Sequence, residues 1–181
     1  MLKKTFFAIL LLFCGITAFA EETLPPPPLK NMDFSSGLTH WRSASAIDDG
    51  TFAVIRENNV NVLQISGGSR EVSQLVQTVY VSPEKLLNKR VNLFAEIKPV
   101  KITCGSLHFM IREVNAAGKT VRYRTVKIDK WTPDKWNRYN ISLKVNKPTK
   151  KIQVYIKSNY LRPEDRIFLK NIVLNITSSA R

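Results

Sequence analysis

Apolar and polar side chains alternate with a period of two along most of the chain after residue 50, and turn-forming residues interrupt the alternation at short intervals. In "LHFMIRE", Leu107, Phe109 and Ile111 share one face, and His108, Met110 and Arg112 share the other. In "KIQVYIK", Ile152, Val154 and Ile156 oppose Gln153, Tyr155 and Lys157. Further segments of this kind are 51–57, 60–66, 72–81, 90–98, 119–128, 137–145 and 166–176. The turns between them are "DDG", "SGGS", "NAAGK", "NKPTK" and "LRPED", and "EVNAAGKTV" is the clearest hairpin, with Gly118 free to take a positive φ. No segment keeps an apolar period of 3.6 over three turns; Pro83 to Asn88 is long enough for one helical turn. About ten short strands punctuated in this way predict an all-β domain, a two-sheet sandwich or a barrel.

The pattern is different before residue 51. Lys3 and Lys4, the apolar run Phe6 to Phe13 and the small-residue pair Ala18 and Ala20 read as a signal peptide over 1–20, cleaved after Ala20. That run is too short for a membrane-spanning helix. A lipoprotein signal would use Cys14, but Phe13 stands where such signals carry a small residue. Residues 21–30 contain Pro25 to Pro28 and read as an extended proline-rich linker. The folded domain is then 31–181. Its opening stretch is "NMDFSSGLTHW".

Charge narrows the partners. The chain of 181 residues has 28 Lys and Arg against 14 Asp and Glu, a net charge of +14. Removing 1–20 takes away two lysines and no acid, which leaves +12. That excess suits an acidic partner such as an anionic polysaccharide or lipid headgroup, and equally suits a solvated basic surface. Nucleic acid is not expected, because the chain reads as exported and has no interleaved aromatic and basic motif. Cys104 remains alone after processing, so no internal disulfide forms, and its neighbours Ile102 and Leu107 place it as a small core residue.

In order, Asn-x-x-Phe at 31–34, Gly37 with Trp41, "VLQISG", "QLVQTVYVSPEKLLNKRVNLFAEIK", the hairpin, "WNRYNISLKV", "KKIQVYIKS" and "IFLKNIVLNI" resemble the galactose-binding-like jelly roll of carbohydrate-binding modules of the CenC type, families 4, 9, 16 and 22. The resemblance covers about 31–176. It implies that Trp41 and Trp136 pack beneath the sheets, and that "NMDFSSGLTHW" is the first strand with Trp41 as its anchoring aromatic. Many relatives also hold a structural calcium through Phe-Glu near the first turn and Asp-Asp in the last strand. Here Phe34-Ser35 and Lys170-Asn171 stand at those places. An ammonium at Lys170 repels a divalent cation, so no metal is expected there. Lys170 either pairs with Asp33 or stays solvated.

Modules of this kind bind sugars on the outer face of one sheet or at its rim. Parity puts His108, Met110 and Arg112 outside, with Gln153 and Tyr155. On the neighbouring strand Arg122 and Arg124 suit the outside, which turns Val121, Tyr123 and Thr125 inward. Val126 and Ile128 break that parity by joining the arginine side, as a bulge there would allow. Arginine forks beside a tyrosine favour carboxylate or sulfate groups, although an ordinary charged outer face has the same composition. Trp131, and less strongly Tyr160, are loop aromatics that suit stacking, although Trp131 equally suits a lid over the end of the sandwich. The candidate ligand-binding residues are Trp131, Tyr155, Arg112, Arg122, Arg124 and Gln153.

Enzyme signals are thin. His40 and His108 have no metal-ligand spacing, there is no Gly-x-Ser-x-Gly or phosphate loop, and nothing requires Glu96 and Glu113 to meet. The expectation is an exported, non-catalytic module without cofactor, binding a polysaccharide; the runner-up is an envelope adaptor that binds a protein, and a small hydrolase comes third.

Overall fold

A computed structural model describes residues 29–43, 51–129 and 132–178. The expected signal peptide, nearly all of the linker and the candidate Trp131 lie outside these residues. The described elements are β1 (Arg42–Ser43), β2 (Phe52–Glu57), β3 (Val60–Ile65), β4 (Val72–Tyr80), α1 (Pro83–Leu86), β5 (Lys89–Lys101), β6 (Ser106–Val114), β7 (Thr120–Ile128), β8 (Asn137–Lys144), β9 (Lys151–Asn159) and β10 (Arg166–Ser178).

The ten strands form two antiparallel sheets of five. Sheet A has the order β1-β4-β9-β6-β7, and sheet B the order β2-β3-β10-β5-β8. The predicted all-β jelly-roll sandwich is therefore the observed architecture. Alternate residues of the inner strands form its core: Leu107, Phe109 and Ile111 on β6, Ile152, Val154 and Ile156 on β9, Val91, Leu93 and Ile97 on β5, and Ile167 and Leu169 on β10 are all fully buried. A register shift on β10 between Lys170 and Val173, with Asn171 at φ 51°, adds one residue and keeps Ile172 and Leu174 pointing inward.

The opening stretch departs from its expected strand. Residues 31–41 form successive turns stitched by Asn31, whose side chain donates to the carbonyls of Gly37 and Thr39 and accepts from Ser36 N–H. Strand pairing begins only at Arg42. The anchoring role holds nonetheless: Trp41 is buried against Phe34, ring centroids 6.0 Å apart, and its indole N–H donates to the Asn31 carbonyl. Gln77 fixes the chain just before these turns, since its amide exchanges two hydrogen bonds with the backbone of Lys30 (2.7 and 2.9 Å) and Leu29 beside it enters the core.

Trp136 does not pack beneath the sheets. Tyr139, Ile141 and Leu143 are in register with inward residues of β5, so alternation turns Trp136 to the outside of sheet B. There it is half-buried, with Lys170 Nζ 4.2 Å and Lys98 Nζ 5.4 Å from its ring centroid. Cys104 is also not a core residue; it is half-buried in the β5–β6 turn and its thiol donates to the Tyr160 carbonyl at 3.0 Å. The adjacent Gly105 has φ +78°, and a Cβ there would lie 2.2 Å from the Asn159 carbonyl oxygen, so the turn needs glycine.

Candidate functional site

The outer face of sheet A is laid out by register. Directly opposed residues share a face, so three rows cross β9, β6 and β7: Gln153–Arg112–Tyr123, Tyr155–Met110–Thr125 and Lys157–His108–Lys127. On the far side of β9, β4 continues them with Thr78, Val76 and Gln74.

One network holds the middle. Arg112 Nε and Nη2 both donate to Gln153 Oε1 (3.0 and 2.6 Å), Tyr155 Oη donates to the same oxygen (3.2 Å), and Gln153 Nε2 donates to Thr78 Oγ1 (3.1 Å). The guanidinium lies over the Tyr155 ring, 5.0 Å from its centroid. Tyr155 is consequently only 7% exposed. It supports Arg112 from beneath and offers no open stacking surface, while Arg112 uses two of its five N–H groups within the network.

Exposed aromatics flank this centre. Tyr123, directly opposite Arg112, is 57% exposed, and Tyr80 at the end of β4 is 73% exposed. Tyr80 also borders a cleft of about 400 Å³ at the β1–β4 side of the face, lined in addition by Lys30, His40, Arg42, Val76 and Thr78.

The structure brings together three of the candidate residues, Arg112, Gln153 and Tyr155. It sends Arg122 and Arg124 to the other side of β7. Arg122 is in register with Glu113 and Arg124 with Ile111, both inward residues, whereas Tyr123 and Thr125 point outward. The expected parity was thus inverted. Ile128 is buried and Val126 packs on the core, and the same face of β7 carries both arginines. The bulge lies beside the hairpin turn, between Glu113 and Val114, and not at 126–128. Because β7 is an edge strand, its inward-side arginines reach solvent at the sandwich rim, and Arg122 Nη1 donates to the Lys144 carbonyl of β8 (2.9 Å). Inward-pointing charge of this kind protects an edge from pairing with another chain. Tyr123 was missed for the same reason, and only the hairpin register exposes it. Tyr80 and Arg42 carried no signal beyond strand parity. Tyr160 is exposed in the β9–β10 turn.

The calcium position is filled differently. Lys170 Nζ lies 3.6 Å from Glu96 Oε2 and against Trp136, so neither expected alternative, pairing with Asp33 or plain solvation, describes it. Asp33 is exposed and accepts from Ser35 N–H. Among the described residues no group of three or more His, Cys, Asp or Glu is placed to hold a metal ion. The donor set at Phe34-Ser35 and Lys170-Asn171 does not fit calcium. Glu96 faces outward on sheet B, and Glu113 faces inward on sheet A, so the two acids do not converge.

No family model and no curated protein matches the sequence. Solved structures do match in fold. A family 16 carbohydrate-binding module is 12% identical, covers 80% of this chain and 96% of its own, and superposes with a TM-score of 0.59. A family 61 module in complex with β-1,4-galactotriose is 16% identical over 83% of this chain and 98% of its own, TM-score 0.55. A cyclase from Fischerella sp. TAU is 9% identical over 87% and 99%, TM-score 0.66. The chain spans 21% of the enzymatically active domain of a bacteriophage CBA120 tailspike protein, at 13% identity and TM-score 0.62 over 83% of this chain. The fold is the jelly-roll sandwich shared by carbohydrate-binding modules, in agreement with the resemblance read from the sequence. Among the described residues no helix is long and apolar enough to cross a membrane.

Proposed function

We propose that this protein is an exported, non-catalytic carbohydrate-binding module that recognises an anionic or cell-surface polysaccharide on the outer face of sheet A. The observation that carries the reading is the Arg112–Gln153–Tyr155–Thr78 network, flanked on that face by the exposed rings of Tyr123 and Tyr80. Four adjacent strands, β4, β9, β6 and β7, span about 14 Å between their axes. A polysaccharide crossing them would stack a sugar on each flanking tyrosine and present an acidic group to the free edge of the Arg112 fork. The fold neighbours that are carbohydrate-binding modules support the class of ligand, and the net charge of +12 left without residues 1–20 supports its sign. Removal of residues 1–20 after Ala20 is part of the same reading.

One observation favours the runner-up, an envelope adaptor that binds a protein: the central Tyr155 is covered by Arg112 and closed to stacking. A glycan array at low and high salt separates the two. Binding of acidic glycans that weakens with salt and is lost in Arg112→Ala supports the polysaccharide reading. No glycan bound at either salt, together with a specific protein recovered by pull-down, overturns it in favour of the adaptor.

A further inference from the structure

Lys157, His108 and Lys127 lie directly opposite one another on three adjacent strands, all on the outer face of sheet A. Like charges so placed destabilise a sheet, and nothing in the core requires them, because their side chains point away from it. Lys157 has no acidic partner among the described residues. Lys127 reaches Asp129 at 2.8 Å, an exposed pair of the sort worth little in water. Gln74, beyond Lys157 on β4, is neutral. His108 accepts or donates one hydrogen bond with Ser106 Oγ at 3.1 Å, which leaves its second ring nitrogen for another partner.

From this row we infer that Lys157, His108 and Lys127 form a subsite for a tetrahedral oxyanion, a sulfate or phosphate ester carried on the polysaccharide, and that His108 takes up a proton as the ester binds. The inference rests on the carbohydrate reading for the carrier of the ester and on the register alone for the site. It is distinct from the Arg112 network, whose planar fork suits carboxylates. Lysine is a point charge on a flexible stem and donates to oxygens in any direction. Together with Asp129 the row carries a net charge of +1 when His108 is neutral and +2 when it is protonated, so a phosphate monoester, a dianion, is matched only by the protonated form, while a sulfate ester, a monoanion, gains a further charged N–H donor from it.

Three groups set the proton affinity of His108. Burial, then Lys157, then Lys127 push its pKa below 6.5, and Asp129 opposes them. In the unliganded protein the neutral imidazole is therefore favoured. A bound oxyanion cancels the two lysines and draws the proton on, with no bond made or broken other than the N–H.

The test follows the His108 ring proton by NMR against pH, with His40 as internal reference, in the mature chain with inorganic sulfate, inorganic phosphate or neither. Either anion is expected to raise the His108 pKa by about one unit, and the larger rise identifies the ester. The rise should be lost in Lys157→Gln, increase in Asp129→Asn, and persist in Lys101→Gln, which removes an equal charge elsewhere. Dextran sulfate should correspondingly bind about tenfold tighter below the His108 pKa than above it. If neither anion moves His108 more than it moves His40, the subsite is overturned. If dextran sulfate still binds in that case, equally well in Lys157→Gln, the carbohydrate reading stands without the subsite. If the anions move His108 but no polysaccharide binds, the subsite stands and the carbohydrate reading falls.

Discussion

Arg112 on β6 lies over the ring of Tyr155 on β9, its guanidinium carbon 5.0 Å from the ring centroid, while its two bonded N–H groups turn to Gln153. The stack and the two hydrogen bonds fix the fork in one plane before any ligand arrives. Holding a long side chain ready reduces the ordering cost of binding, about 0.5–1.5 kcal/mol for a rotamer-rich group. Arg112→Ala should weaken binding of acidic glycans at least about tenfold, and Arg112→Lys should not restore it, because an ammonium cannot stack or donate along two parallel lines. Calorimetric titration of wild type and both variants measures this. Retained affinity in Arg112→Lys would show that charge alone suffices.

The two sides of β7 give a second, internal comparison. Tyr123→Ala removes an exposed ring beside Arg112 and should weaken glycan binding by about 1 kcal/mol or more. Arg124→Ala removes a charge from the opposite side of the same strand and should leave affinity nearly unchanged at moderate salt. Equal losses in the two variants would mean that the ligand grips the strand edge and not the sheet face.

Glu113 is 1% exposed, its Oε1 has no hydrogen-bond partner, and Thr149 Oγ1 approaches Oε2 at 3.5 Å. Burial raises its pKa above the ordinary 4.5, against the opposing effects of Arg122 and Thr149. A carboxyl whose pKa is higher in the folded than in the unfolded chain stabilises the fold below the unfolded value and loses that contribution as pH rises through the folded value. Glu113→Gln should therefore raise the melting temperature at pH 7, with a difference that shrinks toward zero as pH falls below 4.5. Thermal melts from pH 3 to pH 8 provide the check.

Lys170, with the Trp136 ring beside it, stands in the last strand at the place where many relatives of the resembled family have calcium-binding acids. Calcium up to millimolar concentration should leave the melting temperature unchanged, since the ammonium at 3.6 Å from Glu96 already offsets that carboxylate. A clear rise in melting temperature with calcium would refute the assignment.

Trp41→Ala should cost about 3–5 kcal/mol of stability, the range for truncating a buried aromatic. Denaturant titration would read it as a lowered midpoint. Asn31→Ala, which removes the three side-chain bonds of the 31–41 turns, should lower the midpoint less and leave the slope unchanged.

Much of the architecture was legible in the alternation of Leu107, Phe109 and Ile111 with His108, Met110 and Arg112, because burial on one face imposes a strict period of two on a strand. The same rule correctly turned Gln153 and Tyr155 outward. It failed on β7, where Arg122, Arg124, Val126 and Ile128 share a face. At an edge strand the inward side reaches solvent at the rim, so polarity stops reporting direction. At Trp136 the core expectation came from the resemblance, and the alternation, with Tyr139 three positions on, puts the ring on the other face, as observed.

Strand number, fold class and the basic character of the chain followed from local sequence, since each depends on the periodicity or composition of one segment at a time. Which side chains meet did not. The covering of Tyr155 by Arg112, the pairing of Lys170 with Glu96 and the row Lys157–His108–Lys127 all join residues from different strands. Their juxtaposition is set by strand order and register, which hydrogen bonding between segments distant in the chain decides and no single segment encodes.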